Sequence, residues 1–164
     1  MCLNKNIYFV PYSKILSHKF AGSKFVLAIK ELREKINQKD FHMVVEACEP
    51  LANVMTTLLV QKNKQRPHRV SSRVFVDPKT SVVDFLQEFD KILREEIPEN
   101  EETANILIVA ELWAIEMILK CYFTTAWFQK MMSERDVNFG EALLVRTVLD
   151  EPVLPIEYIK ISDE

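Results

Sequence analysis

Residues 104–128, ANILIVAELWAIEMILKCYFTTAWF, constrain the fold of this chain more than any other segment. A run this long with so few charges has to be buried, in a bilayer or at the centre of a core. Glu111, Glu116 and Lys120 stand inside it, and each costs about 2.5–3.5 kcal/mol at the middle of a membrane span. Glu116 and Lys120 also have the i,i+4 spacing of a favourable pair along one helix edge. The run is therefore read as a core helix over about residues 100–134. Glu101 and Glu102 fall in its first turn, where the helix dipole favours acids.

The flanking sequence supplies the elements that would cover such a helix. Val26, Ile29, Leu32 and Ile36 recur at helical spacing, with Lys30, Glu31, Glu34 and Lys35 outside. Asp40 reads as the N-cap of a helix with the stripe Val44, Cys48, Leu51, Met55 and Leu58, which Pro50 kinks or restarts. Ser81 with Asp84 opens a helix through Leu86, Phe89 and Leu93 that Pro98 ends, and Asn138 with Glu141 opens another through Leu143, Leu144 and Thr147. Three short segments read as strands: Ile7–Val10, at a sheet edge before Pro11, then Val70–Val76, and the alternating Ile156–Ile161. The expected fold class is mainly α. Residues 1–164 form a single-domain helical bundle, with about five helices around the central one and a minor two- or three-stranded β element.

Glycine usage narrows the function. Only Gly22 and Gly140 occur, whereas phosphate cradles and dinucleotide folds need several glycines in one short loop. No Gly-x-Ser-x-Gly, His-Glu-x-x-His or Walker pattern is present. Cys2, Cys48 and Cys121 are an odd, scattered set, which fits a reducing compartment better than a disulfide framework. The N-terminal residues lack the apolar stretch of a signal peptide. These features lead to the expectation of a cytoplasmic protein with no membrane association, cofactor or metal, and they lean against an enzyme.

Charge is divided along the chain. Residues 1–80 carry 14 Lys+Arg against 6 Asp+Glu, and residues 81–164 carry 7 against 18. Residues 50–76 hold five cations, Lys62, Lys64, Arg66, Arg69 and Arg73, and no acid. Such a cluster on an exposed segment could contact phosphates, and nucleic-acid binding through residues 62–73 is one reading. Eight acids between Asp84 and Glu102 form its counterpart and suit salt-sensitive contact with a protein partner or a second copy.

Single residues add little chemistry. Glu111, placed on the apolar face of the central helix, would be desolvated and is the candidate acid/base if the chain is a small helical enzyme. His42, Glu46 and Glu49 would share one helix face at i, i+4 and i+7, a loose spacing for a cation that more often marks a solvated face. Cys48 and Cys121 are expected in the core. Trp127 and Met131 are the candidate contacts of a helical groove. The reading from sequence is a non-catalytic protein–protein interaction domain, acting as an adaptor, an inhibitor or an assembly subunit.

Overall fold

The computed structural model describes residues 4–17, 23–96, 102–134 and 141–161. The chain alternates strands and helices: β1 (Asn4–Pro11), α1 (Tyr12–Ser17), α2 (Ser23–Ile36), β2 (Met43–Ala47), α3 (Pro50–Leu59) and β3 (His68–Ser72). It continues with α4 (Val82–Glu96), β4 (Thr103–Ala110), α5 (Leu112–Met117), α6 (Ala126–Ser133), β5 (Glu141–Val148) and β6 (Glu151–Lys160). A 3₁₀ turn, Arg73–Phe75, follows β3, and a π-helical turn, Ile118–Tyr122, extends α5. The strands form one six-stranded sheet in the order β3-β2-β4-β1-β5-β6. β3, β2, β4 and β1 run parallel, and β5 and β6 add an antiparallel margin.

This α/β architecture replaces the mainly α bundle, and the largest correction falls on the expected central helix. Its first part, Thr103–Ala110, is the strand β4, buried from Ala104 onwards. A parallel strand covered on both faces has no polar side, so its sequence reads as a continuous apolar run with no period of two. Over eight residues such a run cannot be told from a buried helix. Ile106, Ile108 and Val109 carried the β-branched signal for a strand. β2, with all five residues buried, misleads in the same way, and Asp40 caps no helix. Pro50 neither kinks nor breaks a helix. It sits at the start of α3, where its missing N–H costs nothing, and Glu49 is the N-cap.

The remaining elements divide. α2 and α4 cover the expected segments, and Ser81 Oγ accepts from the Asp84 amide at 3.1 Å. Residues 141–148 form a strand where a helix was expected, paired with β6 through a tight turn in which Leu149 and Asp150 have φ of 52° and 66°. Both central residues at positive φ give the turn a twist that matches the two strands. Ile7–Val10 is a strand but an interior one, hydrogen-bonded to β4 and β5. Pro11 closes it at its last position, where the lost donor removes little of the ladder. The Asn138 cap and Pro98 stop lie outside the described residues.

The core lies on the sheet and includes Ile7, Phe9, Met43, Val45, Ile106, Ile108 and Val145. Phe75, Phe85 and Phe89 stack edge to face over it. Among the described residues no helix is long and apolar enough to cross a membrane.

Candidate functional site

In open α/β sheets, ligands bind outside the carboxyl ends of the strands, where neighbouring connections diverge. Here that place is fixed by topology. β1 and β4 are adjacent, yet the chain leaving β1 proceeds to β2 and the chain leaving β4 proceeds to β5. Pro11, the last residue of β1, pairs with Ala110, the last of β4. The next residues, Tyr12, Ser13 and Glu111, therefore project from two adjacent strand ends. Glu49 follows the end of the third strand, β2, two residues after Ala47.

These side chains lie together at the strand ends. Ser13 Oγ donates to Glu111 Oε2 at 2.5 Å. The Tyr12 hydroxyl lies close enough to the Glu111 and Glu49 carboxylates to feel both. Tyr12 is 2% exposed, and burial, reinforced by these two carboxylates, pushes its hydroxyl well above the ordinary tyrosine range. At neutral pH Tyr12 is thus a donor. Glu49 Oε2 also accepts from the Leu51 and Ala52 amides at 2.9 and 3.1 Å. Its carboxylate occupies the positive end of α3, the position where a helix receives an anion.

Glu111 is thus half-buried at a strand-to-helix junction, as the N-cap of α5. The expected mid-helix position does not exist, because the segment before it is β4. The His42 stripe dissolves for the same reason. His42 precedes β2 and its Nδ1 accepts from the Asn105 amide at 2.9 Å, Glu46 lies within β2, and Glu49 caps α3. Among the described residues no group of three or more acids, histidines or cysteines is placed to hold a metal. Cys48 and Cys121 are exposed rather than in the core.

The basic residues are not brought together as a free face. Lys62 meets Glu34. Arg69, on β3, spans to Glu46 with contacts of 2.8–3.2 Å. Lys64, Arg66 and Arg73 are exposed. Trp127, 37% exposed, and the partly buried Met131 lie on α6, while Phe128 and Met132 of the same helix enter the core. None of these seven residues touches the strand-end set. Sequence reasoning missed Tyr12 and Ser13. Their only signal is position, directly after a β-type run closed by Pro11.

No family model matches the chain, and no curated protein matches it in sequence. Solved structures do match its fold. A phosphoglycerate mutase from Plasmodium falciparum aligns with a TM-score of 0.61 at 8% identity, over 98% of this chain and 92% of that one. The alpha-ribazole phosphatase from Shigella flexneri aligns at 0.56 and 11%, over 96% of each chain. A mycobacterial glucosyl-3-phosphoglycerate phosphatase aligns at 0.60 and 6%, over 98% and 99%. Expectations that rested on a helical bundle fall with the bundle: the adaptor-like, non-catalytic interaction domain, its helical groove, and the small helical enzyme. The nucleic-acid reading fits poorly too, since Glu34 and Glu46 occupy two of its five cations. At these identities the likeness shows the fold alone, an α/β architecture that this chain shares with those three proteins.

Proposed function

We propose that this chain is a phosphatase-class hydrolase of phosphate monoesters, with its reaction centre at the ends of β1, β4 and β2. The observation that carries the reading is the Ser13–Glu111 hydrogen bond of 2.5 Å, at the position where such a sheet binds its ligand. A hydroxyl held against a carboxylate is a nucleophile with its base in place. Ser13 Oγ attacks phosphorus as its proton passes to Glu111, the P–O ester bond breaks, and the departing ester oxygen takes that proton from Glu111 to leave as the alcohol. Water then hydrolyses the phosphoserine. The Tyr12 hydroxyl, kept protonated by its surroundings, is a donor beside the reacting group. The Plasmodium, Shigella and mycobacterial proteins of the same fold handle phosphate esters by name, which supports the substrate class.

The test is hydrolysis of p-nitrophenyl phosphate, with Ser13→Ala and Glu111→Gln compared at equal melting temperature. Ser13→Ala abolishes turnover, and Glu111→Gln lowers kcat at least about 100-fold, the lower range for losing a positioned base. Turnover equal in wild type and both variants would end the proposal.

A second reading rests on charge. Glu49 and Glu111 bring two carboxylates to the site, and no Lys or Arg side chain among the described residues contacts them there. Phosphoryl transfer relies on cationic groups around the phosphate. Two carboxylates instead suit a ligand that brings positive charge, an amine or a guanidinium. Absence of phosphate turnover, together with saturable binding of such a cation that Glu111→Gln weakens, would select this reading.

A further inference from the structure

A cavity lies at the other end of the same strands. Its volume is about 280 Å³, and Asn6, Tyr8, Lys35, Lys39, Asn105 and Arg146 line most of it. Asn6 precedes Pro11 by five residues on β1, roughly 16 Å at the rise of an extended strand. The cavity is therefore separate from the strand-end site, and a ligand bound in it would be independent of any phosphatase activity there.

The lining is cationic and rich in donors. Lys35 comes from the last turn of α2, Lys39 from the turn that follows it, and Arg146 from β5, where it pairs with Asn6 across the ladder. Arg146 Nη2 donates to Glu157 at 3.0 Å, but Nη1 is shielded from solvent with no acceptor. The Lys39 ammonium meets no carboxylate among the described residues. Lys35 donates to the Lys160 carbonyl at 2.5 Å and lies 4.0 Å from Glu31. Tyr8 is protonated at neutral pH: burial raises it, Arg146 lowers it, and Glu157 raises it again. Asn6 Nδ2 donates to Asn105 Oδ1 at 3.0 Å, and Asn105 Nδ2 to the Asp40 carbonyl at 3.4 Å, so the two amides are fixed in place. The acids nearby, Glu157 and Glu31, are each already beside one cation. Asp40, next to Lys39 in the chain, is held by the Lys64 and Gln65 amides, so Lys39 is the lining cation that no carboxylate neutralises.

We propose that this cavity is a binding site for a small phosphorylated ligand, with the Arg146 guanidinium, Lys39 and the Tyr8 hydroxyl as its donors. A planar fork, a mobile ammonium and a hydroxyl converging from three elements suit a tetrahedral phosphoryl group better than a single carboxylate. The cavity leaves room for a second phosphoryl group or a small organic body.

Calorimetric titration with pyrophosphate at about 150 mM salt, where the Debye length is about 8 Å and diffuse attraction is screened, tests the site. Saturable binding is expected, weakened about tenfold or more by Lys39→Gln and by Arg146→Gln, the usual scale for one charge-assisted hydrogen bond. Lys39→Gln breaks no internal contact, so a normal melting temperature makes its result interpretable even where Arg146→Gln perturbs the Glu157 pair. Four results would overturn the proposal. They are no saturable binding, affinity unchanged in Lys39→Gln, binding lost in Ser13→Ala but kept in Lys39→Gln, or citrate bound as tightly as pyrophosphate.

Discussion

Glu46 is 4% exposed in the middle of β2, and a carboxylate so far from water is tolerated only with a partner. Arg69, one strand over, supplies it through Nε and Nη2, which together contact both oxygens. The geometry is favourable, yet such a pair gains little over an apolar replacement, while removing one member strands the other. Arg69→Ala is thus expected to destabilise the fold by about 3 kcal/mol, measured by urea unfolding. The double variant Glu46→Met/Arg69→Met should recover most of that loss. A mild Arg69→Ala would mean that Glu46 reaches water. The sequence shows Arg69 as one of five clustered cations and Glu46 as part of a helical stripe. It cannot show that strand pairing joins them, because neither residue's neighbours reveal it. The strand-end site is illegible for the same reason: Ser13 and Glu111 are 98 residues apart, and only the parallel register of β1 with β4 brings them together.

Among elements, legibility followed exposure. α2 and α4 keep one wet face, so their apolar stripes repeat at helical spacing and can be read directly. β2 and β4 have no wet face, and β5 is buried from Ala142 to Val145, so the alternation that would identify them is missing. The charges Glu111 and Glu116, read as interruptions of one long helix, fall where the chain leaves β4 and in α5. The hairpin between β5 and β6 carries a cost that one substitution can remove. Leu149 holds φ at 52° although it is 65% exposed. The left-handed region costs a residue with a Cβ about 1–2 kcal/mol, and asparagine tolerates it better. Leu149→Asn should therefore raise stability by about 0.5–1 kcal/mol in urea unfolding, with little packing lost. A loss of stability would mean that the Leu149 side chain is held by contacts that its exposure does not suggest.

Over the whole molecule, the divided charge of the sequence is bridged where the ends of the chain meet in the sheet, while the other ion pairs among the described residues stay within one half. Lys5 of β1 pairs with Asp150 of the last hairpin, and Arg94 of α4 comes within 3.9 Å of the same carboxylate. Several titrating groups are also held away from their ordinary values, and together they set the pH range of stability. Burial pushes the Asp90 carboxyl up, but hydrogen bonds from Arg94 and Tyr122 outweigh it and hold it below the usual range. The Lys64 and Gln65 amides hold Asp40 low, and Lys62 holds Glu34 low. A carboxyl depressed by folding stabilises above its unfolded pKa, near 4, and loses that contribution as pH falls through its folded value. Three of the four tyrosines shift the opposite way. Tyr12 and Tyr122 are raised strongly, by burial first and by adjacent carboxylates second, and Tyr8 is raised by burial. A raised tyrosine contributes fully below its unfolded pKa of about 10 and loses that contribution as pH climbs towards the folded value, since only the unfolded chain ionises. Stability should therefore be level from about pH 5 to 9 and fall on both sides, with an alkaline slope approaching about 1.4 kcal/mol per pH unit for each such tyrosine. Thermal melts between pH 8 and 12, followed by tyrosinate absorbance, measure that slope. Tyr122→Phe should make it shallower by about one third, and an unchanged slope would mean that Tyr122 ionises in the folded protein as freely as in the unfolded chain.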